Sequence, residues 1–259
     1  MTATWGNIER QARLWMVEAG DRIKTALTEE VVISEKSGPD DLVTEVDQDI
    51  EAFFYEKISE AYPTHHFFGE EGVAQVLSSL EGTVWIVDPI DGTTNFIHQK
   101  RGFAISVAVY QGGEGMIGLI YDVMNEEFFH ALKGEGAYLN DRLLPKVEQT
   151  SLSKAVVGIN AGWLVGEHAA ALTEVVRTSR GSRSYGSAAL EMAYVATNRL
   201  NAYMSLNLSP WDYAAGAVIL AEVGCKATRL DGTPLSMLEK GSLLASSSNL
   251  HEEIRRHLT

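Results

Sequence analysis

The feature that most constrains the fold is a change of hydrophobic period near residue 83. Upstream, Ile8, Ala12, Trp15, Ala19, Ile23 and Ala26 recur every three or four residues, the stripe of an amphipathic helix over about residues 4–27. A second stripe, Val46, Ile50, Phe53, Phe54, Ile58 and Ala61, predicts a helix over about 44–61, with Pro63 as its stop. The polar, irregular "SEKSGPDD" separates the two. Downstream, "TVWIVD", "FAISVAVY", "GMIGLIYD", "EEFFHAL" and "GAYLN" are short runs rich in β-branched and aromatic residues, parted by turn clusters such as "QGGEG" and "KGEG". They predict a largely antiparallel meander.

The second half opens on a strand, "KAVVGIN", followed by helices over about 167–178 and 187–199, a short strand "NAYMS" and a helix over about 212–223. A last strand, "GSLLASSS", leads through Asn249, a candidate N-cap, into the terminal helix "LHEEIRRHL". Such blocks predict an α/β (α+β) layered sandwich of alternating helix and sheet layers. No repeat or linker interrupts the chain, so residues 1–259 are expected to form one compact unit, with halves 1–145 and 146–259 packed together.

A hydrophobic content of 45% over 259 residues is enough for a large core and excludes a disordered chain. The formal charge of −14 opposes binding to nucleic acid backbones or anionic lipid. Cys225 is the only cysteine, which rules out an intramolecular disulfide and fits a cytoplasmic compartment. Neither a signal peptide nor an apolar run of about 18 residues is present, so a soluble protein off the membrane is expected.

Three acidic segments suggest chemistry. "FFGEEG" places Glu70 and Glu71 before a glycine turn, "VWIVDPIDG" places Asp88 at a strand exit with Asp91 three residues on, and "SPWDYAAG" places Asp212 at a helix start. Each has a plainer role available: loop charges for the glutamates, turn formation for Asp88 and Asp91, and a dipole-favoured helix charge for Asp212. Yet unpaired carboxylates at buried element ends are costly and repel one another. A divalent cation with oxygen ligands would offset both penalties. After Asp91, Gly92 permits close backbone approach, and a helix starting at Thr93 or Thr94 would aim free N–H groups at an anion over the same cations.

"GEEG", "WIVDPIDGTTNFIH" and "WDYAAGAVILAEVG", preceded by "KSGPDDLVTEVDQDIE", resemble the ordered signature blocks of the inositol monophosphatase family, bacterial type, and the similarity extends through "RSYGSAALEMAYVATNRLNAY". The resemblance implies that family's layered fold and a Mg²⁺-dependent, lithium-sensitive phosphomonoesterase acting as a homodimer. It implies that Glu70, Asp88, Asp91, Asp212 and the Ile90 carbonyl hold about two or three Mg²⁺ ions. Gly92 and Thr93 would bind phosphate, and Asp47, Thr93 and Glu70 would activate water. Lys36 and Asp41, and secondarily Glu71 and Thr94, would lie nearby.

The family's inositol phosphatases carry a glutamate seven residues before the tryptophan-linked aspartate; here that position is Ser205. A hydroxyl is shorter and uncharged, so the alcohol would be contacted by Ser184, Tyr185, Gly186, Ser187, Ser205 and Asp91. Arg180 and Arg183 could reach a second phosphate, the basis for an alternative substrate such as fructose 1,6-bisphosphate or NADP. A binding protein with vestigial catalysis is a third reading, opposed by the intact acids. Cys225 and the scattered histidines, including "HH" at 65 and 66, are expected to pack or sit in loops.

Overall fold

The computed structural model describes residues 4–29, 32–35, 42–73, 77–165 and 169–258. The chain begins with α1 (Trp5–Ala26), an antiparallel pair β1 (Ile33–Glu35) and β2 (Leu42–Thr44), and α2 (Glu45–Ala61). A seven-stranded sheet follows in sequence order: β3 (His66–Gly69), β4 (Thr83–Asp91), then after α3 (Thr93–Gln99), β5 (Ala104–Gln111), β6 (Glu114–Asp122), β7 (Glu127–Leu132), β8 (Gly136–Leu139) and β9 (Arg142–Leu143). All neighbours are antiparallel except β3, which runs parallel to β4. The expected meander is therefore present, extended by an edge strand on the side that carries Glu70.

The second half contains β10 (Val156–Ile159), α4 (Ala169–Thr178), β11 (Gly181–Arg183), α5 (Ala188–Ala196), β12 (Ala202–Leu208), α6 (Pro210–Glu222), β13 (Cys225–Thr228), β14 (Gly241–Ser247) and α7 (Ser248–Leu258). Its five strands lie in the order β11-β10-β12-β14-β13, with β10 parallel to both neighbours.

Alternation along the strands sorts the core into layers. Trp85 and Val87 of β4 pack on α1 and α2, while Val84 and Ile86 point the other way, onto α5 and α6. The second sheet repeats the arrangement: Tyr203, Leu243 and Ala245 join the α5 and α6 cluster, and Val157, Met204 and Leu244 pack against α4 and α7. The result is the expected sandwich, in the order helices, sheet, helices, sheet, helices. Because α5 and α6 are covered on two sides, nearly every residue of "AALEMAYVA" is buried.

Some boundaries differ from the sequence expectation. Asn249 is not the N-cap of the last helix; it lies inside the first turn of α7, and its N–H donates to Gln149 Oε1 at 2.9 Å. The helix expected to reach residue 199 ends at Ala196, where Asn198 adopts a left-handed φ of 60° that stops propagation. The helix expected from 212 starts at Pro210, whose missing N–H costs nothing in a first turn. Strands β1, β2, β9, β11 and β13 have two to four residues each, too few to show a period.

Candidate active site

Three carboxylates meet where the first sheet faces the middle helices. One ligand oxygen from each of Asp88, Asp91 and Asp212 lies within 4.8 Å of the others. Residues three apart on a regular strand point to opposite faces, so β4 alone would separate Asp88 from Asp91. Pro89, with no N–H to give, interrupts the ladder: Asp88 pairs with Ser106 but Asp91 pairs with Ala104, one extra residue on β4. That bulge turns both acids to one side. Ile90 N–H donates to Asp88 Oδ1 at 3.0 Å and fixes the turn. Asp212 arrives in the first turn of α6, where its Oδ2 accepts the Ser209 N–H at 2.7 Å.

Burial pushes the Asp88 carboxyl well above its ordinary value, and the charges of Glu70, Asp91, Asp212 and Asp47 push it further. Asp212 is likewise raised well above normal by burial, then by Asp91 and Glu70. Asp91 is raised to about 6, chiefly by burial, against the opposing hydrogen bonds from Ser187 Oγ and from the Ala189 N–H at 2.7 Å. Glu70, half-buried after β3, thus contributes field to all three acids.

Asp47 is 1% exposed and has two tasks. Its Oδ2 accepts the Thr44 N–H at 2.8 Å and the Thr44 hydroxyl, capping α2, while Oδ1 lies 3.2 Å from Thr93 Oγ1. The same Thr93 hydroxyl is 3.1 Å from the Ile90 carbonyl. Capping and participation in the site therefore coexist. Gly92 takes φ 98°, and a Cβ there would stand 3.1 Å from the Gly186 carbonyl, so glycine is required by both conformation and crowding. Thr93 opens α3, and Thr94 is exposed beside it.

The loop carrying Ser184, Tyr185, Gly186 and Ser187 links β11 to α5 and lies against Gly92. Ser187 is buried on Asp91; the other three are exposed. Ser205 is 5% exposed, beside the Tyr203 phenol, whose pKa it lowers slightly against the rise from burial. Arg180 and Arg183 are exposed, and Arg183 donates to the neighbouring Ser182 carbonyl at 2.8 Å. Lys36 and Asp41 lie outside the described residues. Glu71 is half-buried, and its N–H donates to Glu51 Oε2 at 2.6 Å.

Four residues escaped the sequence reading. Glu51, fully buried on α2, also accepts the Val73 N–H at 2.9 Å and so grips the loop that presents Glu70. Asn95 Nδ2 donates to the Gly102 and Tyr185 carbonyls at 2.8 and 2.6 Å, tying α3 to the β11–α5 loop. Glu191 accepts the Tyr185 N–H at 3.0 Å from the other side. Tyr203 is raised well above its ordinary pKa by burial, then by the charges of Glu191, Asp91 and Asp212. Two of the four carried a signal: Glu51 stands one turn beyond Asp47 on a largely apolar face, and Glu191 is the lone charge in "AALEMAYVA".

The remaining expectations concern packing. Cys225 is buried and its thiol is pushed up to about 12 by that burial. His65 Nδ1 accepts the Trp85 indole N–H at 3.0 Å, and His251 contacts Thr228 and Ser246.

The pattern of the Inositol monophosphatase family matches residues 7–259. The inositol-1-monophosphatase of Bacillus subtilis (strain 168) is 47% identical over 253 residues, 96% of each chain. The crystal structure of SaIMPase-II with inositol monophosphate bound superposes with a TM-score of 0.87 at 41% identity, covering 95% of this chain and 90% of that one. An IMPase/NADP phosphatase complexed with Mg²⁺ and phosphate superposes with a TM-score of 0.92 at 26% identity, covering 98% and 96%. The chain belongs to the inositol monophosphatase family.

Proposed function

We propose that the protein is a Mg²⁺-dependent phosphomonoesterase that hydrolyses inositol monophosphate or a similar small polyol phosphate with water as the nucleophile. The observation that carries this reading is the convergence of Asp88, Asp91 and Asp212 within 4.8 Å. Buried acids that raise one another's pKa form an all-oxygen donor set whose repulsion a hard divalent cation relieves. The residues therefore fit Mg²⁺: Glu70, Asp88, Asp91, Asp212 and the Ile90 carbonyl would hold two or three ions. Bound there, Mg²⁺ supplies a water acidified toward neutral pH and charge stabilisation for the leaving alkoxide.

The protein's own groups do the rest. The Gly92 and Thr93 N–H groups, at a helix start that leaves them without intrahelical partners, face the phosphoryl oxygens. Thr93 Oγ1, 3.2 Å from Asp47 Oδ1, accepts a proton from the attacking water as it yields its own to that carboxylate. Glu70 orients the same water from the β3 side. Ser184, Tyr185, Gly186 and Ser187 receive the alcohol, with Asp91 and the Ser205–Tyr203 pair behind them. Family membership also supports lithium sensitivity and a cytoplasmic homodimer; light scattering on the purified protein tests the dimer.

Phosphate release from inositol 1-phosphate, fructose 1,6-bisphosphate and NADP, with Mg²⁺ and with chelator, tests the reading. Turnover of inositol 1-phosphate only with Mg²⁺ is the expected result. No turnover of any substrate with Mg²⁺ present would reject the enzyme, and preference for a bisphosphate would restore a role for Arg180 and Arg183.

A further inference from the structure

Glu191 does something that packing alone does not require. It sits in the first turn of α5 at 3% exposure, and one carboxylate oxygen, Oε2, is buried with no hydrogen-bond partner. The second sheet leaves room for that oxygen only because β10 has a glycine opposite: a Cβ on Gly158 would stand 2.2 Å from Oε2. An apolar side chain would fill this position at lower cost, since burying a half-partnered carboxylate is penalised. What the acid gains is the loop. Its Oε1 accepts the Tyr185 N–H at 3.0 Å, and the neighbouring Gly186 N–H also favours the charged carboxylate.

The loop is gripped from both sides. Asn95 Nδ2 holds the Tyr185 carbonyl at 2.6 Å, and the Gly186 carbonyl would lie 3.1 Å from a Cβ on Gly92. The width of the gap between Gly92 and residues 184–187 is thus set by Glu191 below and Asn95 above. We propose that Glu191 is a positioning residue for the alcohol half of the substrate: through the Tyr185 and Gly186 N–H groups it holds the loop that grips the leaving group's hydroxyls. The proposal rests on the phosphatase reading for the identity of what the loop grips.

The carboxyl's state gives a way to observe this coupling. Burial lifts its pKa to about 7, the Tyr185 and Gly186 N–H groups oppose that rise, and the charge of Asp91 on β4 adds to it. Tyr203 on β12 feels the charge of Glu191, and its phenol stays protonated far above this range. Ionised, Glu191 binds the Tyr185 N–H by a charge-assisted bond and attracts that of Gly186; protonated, it holds both more weakly. Mg²⁺ in the acid cluster would shift the titration to lower pH by offsetting the charge of Asp91.

The test is an amide NMR titration between pH 5 and 9, with and without Mg²⁺, combined with kinetics of wild type and Glu191→Gln. The Tyr185 and Gly186 amide shifts should move in one common step in the wild type, at lower pH with Mg²⁺, and that step should vanish in E191Q. At pH 8.5, E191Q should raise KM for inositol 1-phosphate by roughly three- to tenfold with kcat within about twofold. KM for p-nitrophenyl phosphate, whose leaving group has no hydroxyl to grip, should be unchanged. An unchanged KM for inositol 1-phosphate in folded E191Q overturns the proposal, as does an equal KM rise for both substrates. A retained step with no turnover of either substrate by the wild type overturns the phosphatase reading and leaves the coupling of Glu191 to the loop standing.

Discussion

At Asp88, Asp91 and Asp212, three side chains that ordinarily repel are held together by backbone that has other reasons for its shape: a bulge at Pro89 and a helix start at Pro210. The cost of that arrangement should be measurable without Mg²⁺. Asp91 ionises at about 6 in the fold against about 4 when unfolded, so the folded state retains its proton longer. Its contribution to stability is therefore full below the unfolded pKa and is lost as pH rises through the folded one. Thermal unfolding of metal-free protein should show a Tm that falls from pH 4 to pH 7, and Mg²⁺ should reverse the fall at neutral pH. Asp212→Asn should raise the metal-free Tm at pH 7.5 by a few degrees, on the order of 1 kcal/mol, and lower kcat/KM by at least about 100-fold. A variant still stabilised by Mg²⁺ to the wild-type extent would remove Asp212 from the ligand set. These acids were legible in the sequence because each stood at the end of an element read as buried: a strand exit for Asp88 and Asp91, a helix start for Asp212. Glu51 and Glu191 carried only the weaker signal of an acid on an apolar helix face, because an acid within a helix reads as part of a solvated face until the neighbouring layer is known to cover it.

At the scale of elements, close approach between α6 and the first sheet brings Asp212 to Asp88 and Asp91. The contact depends on Gly118 in β6, where a Cβ would stand 2.3 Å from the Ala215 carbonyl. A backbone carbonyl in a helix cannot rotate away, so Gly118→Ala should separate the two elements and destabilise the fold by about 2–4 kcal/mol. Urea unfolding would register this as a lower midpoint at unchanged slope, and kcat should fall with the displaced Asp212. Wild-type stability in the variant would mean that sheet and helix can separate without cost. Strong helical stripes and the strand runs were readable because they persist for several periods. The two- to four-residue strands β1, β2, β9, β11 and β13 were not, since pairing with a neighbouring strand, not local pattern, makes them strands.

Across the whole molecule, the middle layer makes the two halves depend on each other. Helices α5 and α6 bury one side on the first sheet and the other on the second, so either half alone would expose an apolar face. A doubly paired Arg199 and Glu127, both N–O distances 2.5 Å, joins the halves at the edge. We expect a single cooperative urea transition, with far-ultraviolet circular dichroism and tryptophan fluorescence coincident, Trp85 reporting on the first half and Trp163 on the second. Fragment 1–145 should be insoluble or unfolded. Two separated transitions, or a folded fragment, would show the halves to be independent domains.

The sequence by itself determined the element types with strong periods, the acids able to hold a hard cation, and the glycine and threonine that open α3. Those features are local: a period, a strand exit, a helix start. Only the tertiary structure decided that Asp88 and Asp91 share a face, that Ser205 is engaged by Tyr203, and that Glu51 and Glu191 reach across to grip the site's loops. Each of these depends on residues between two and 20 positions apart brought within hydrogen-bonding or Coulombic range by packing, which a pattern along the chain does not encode.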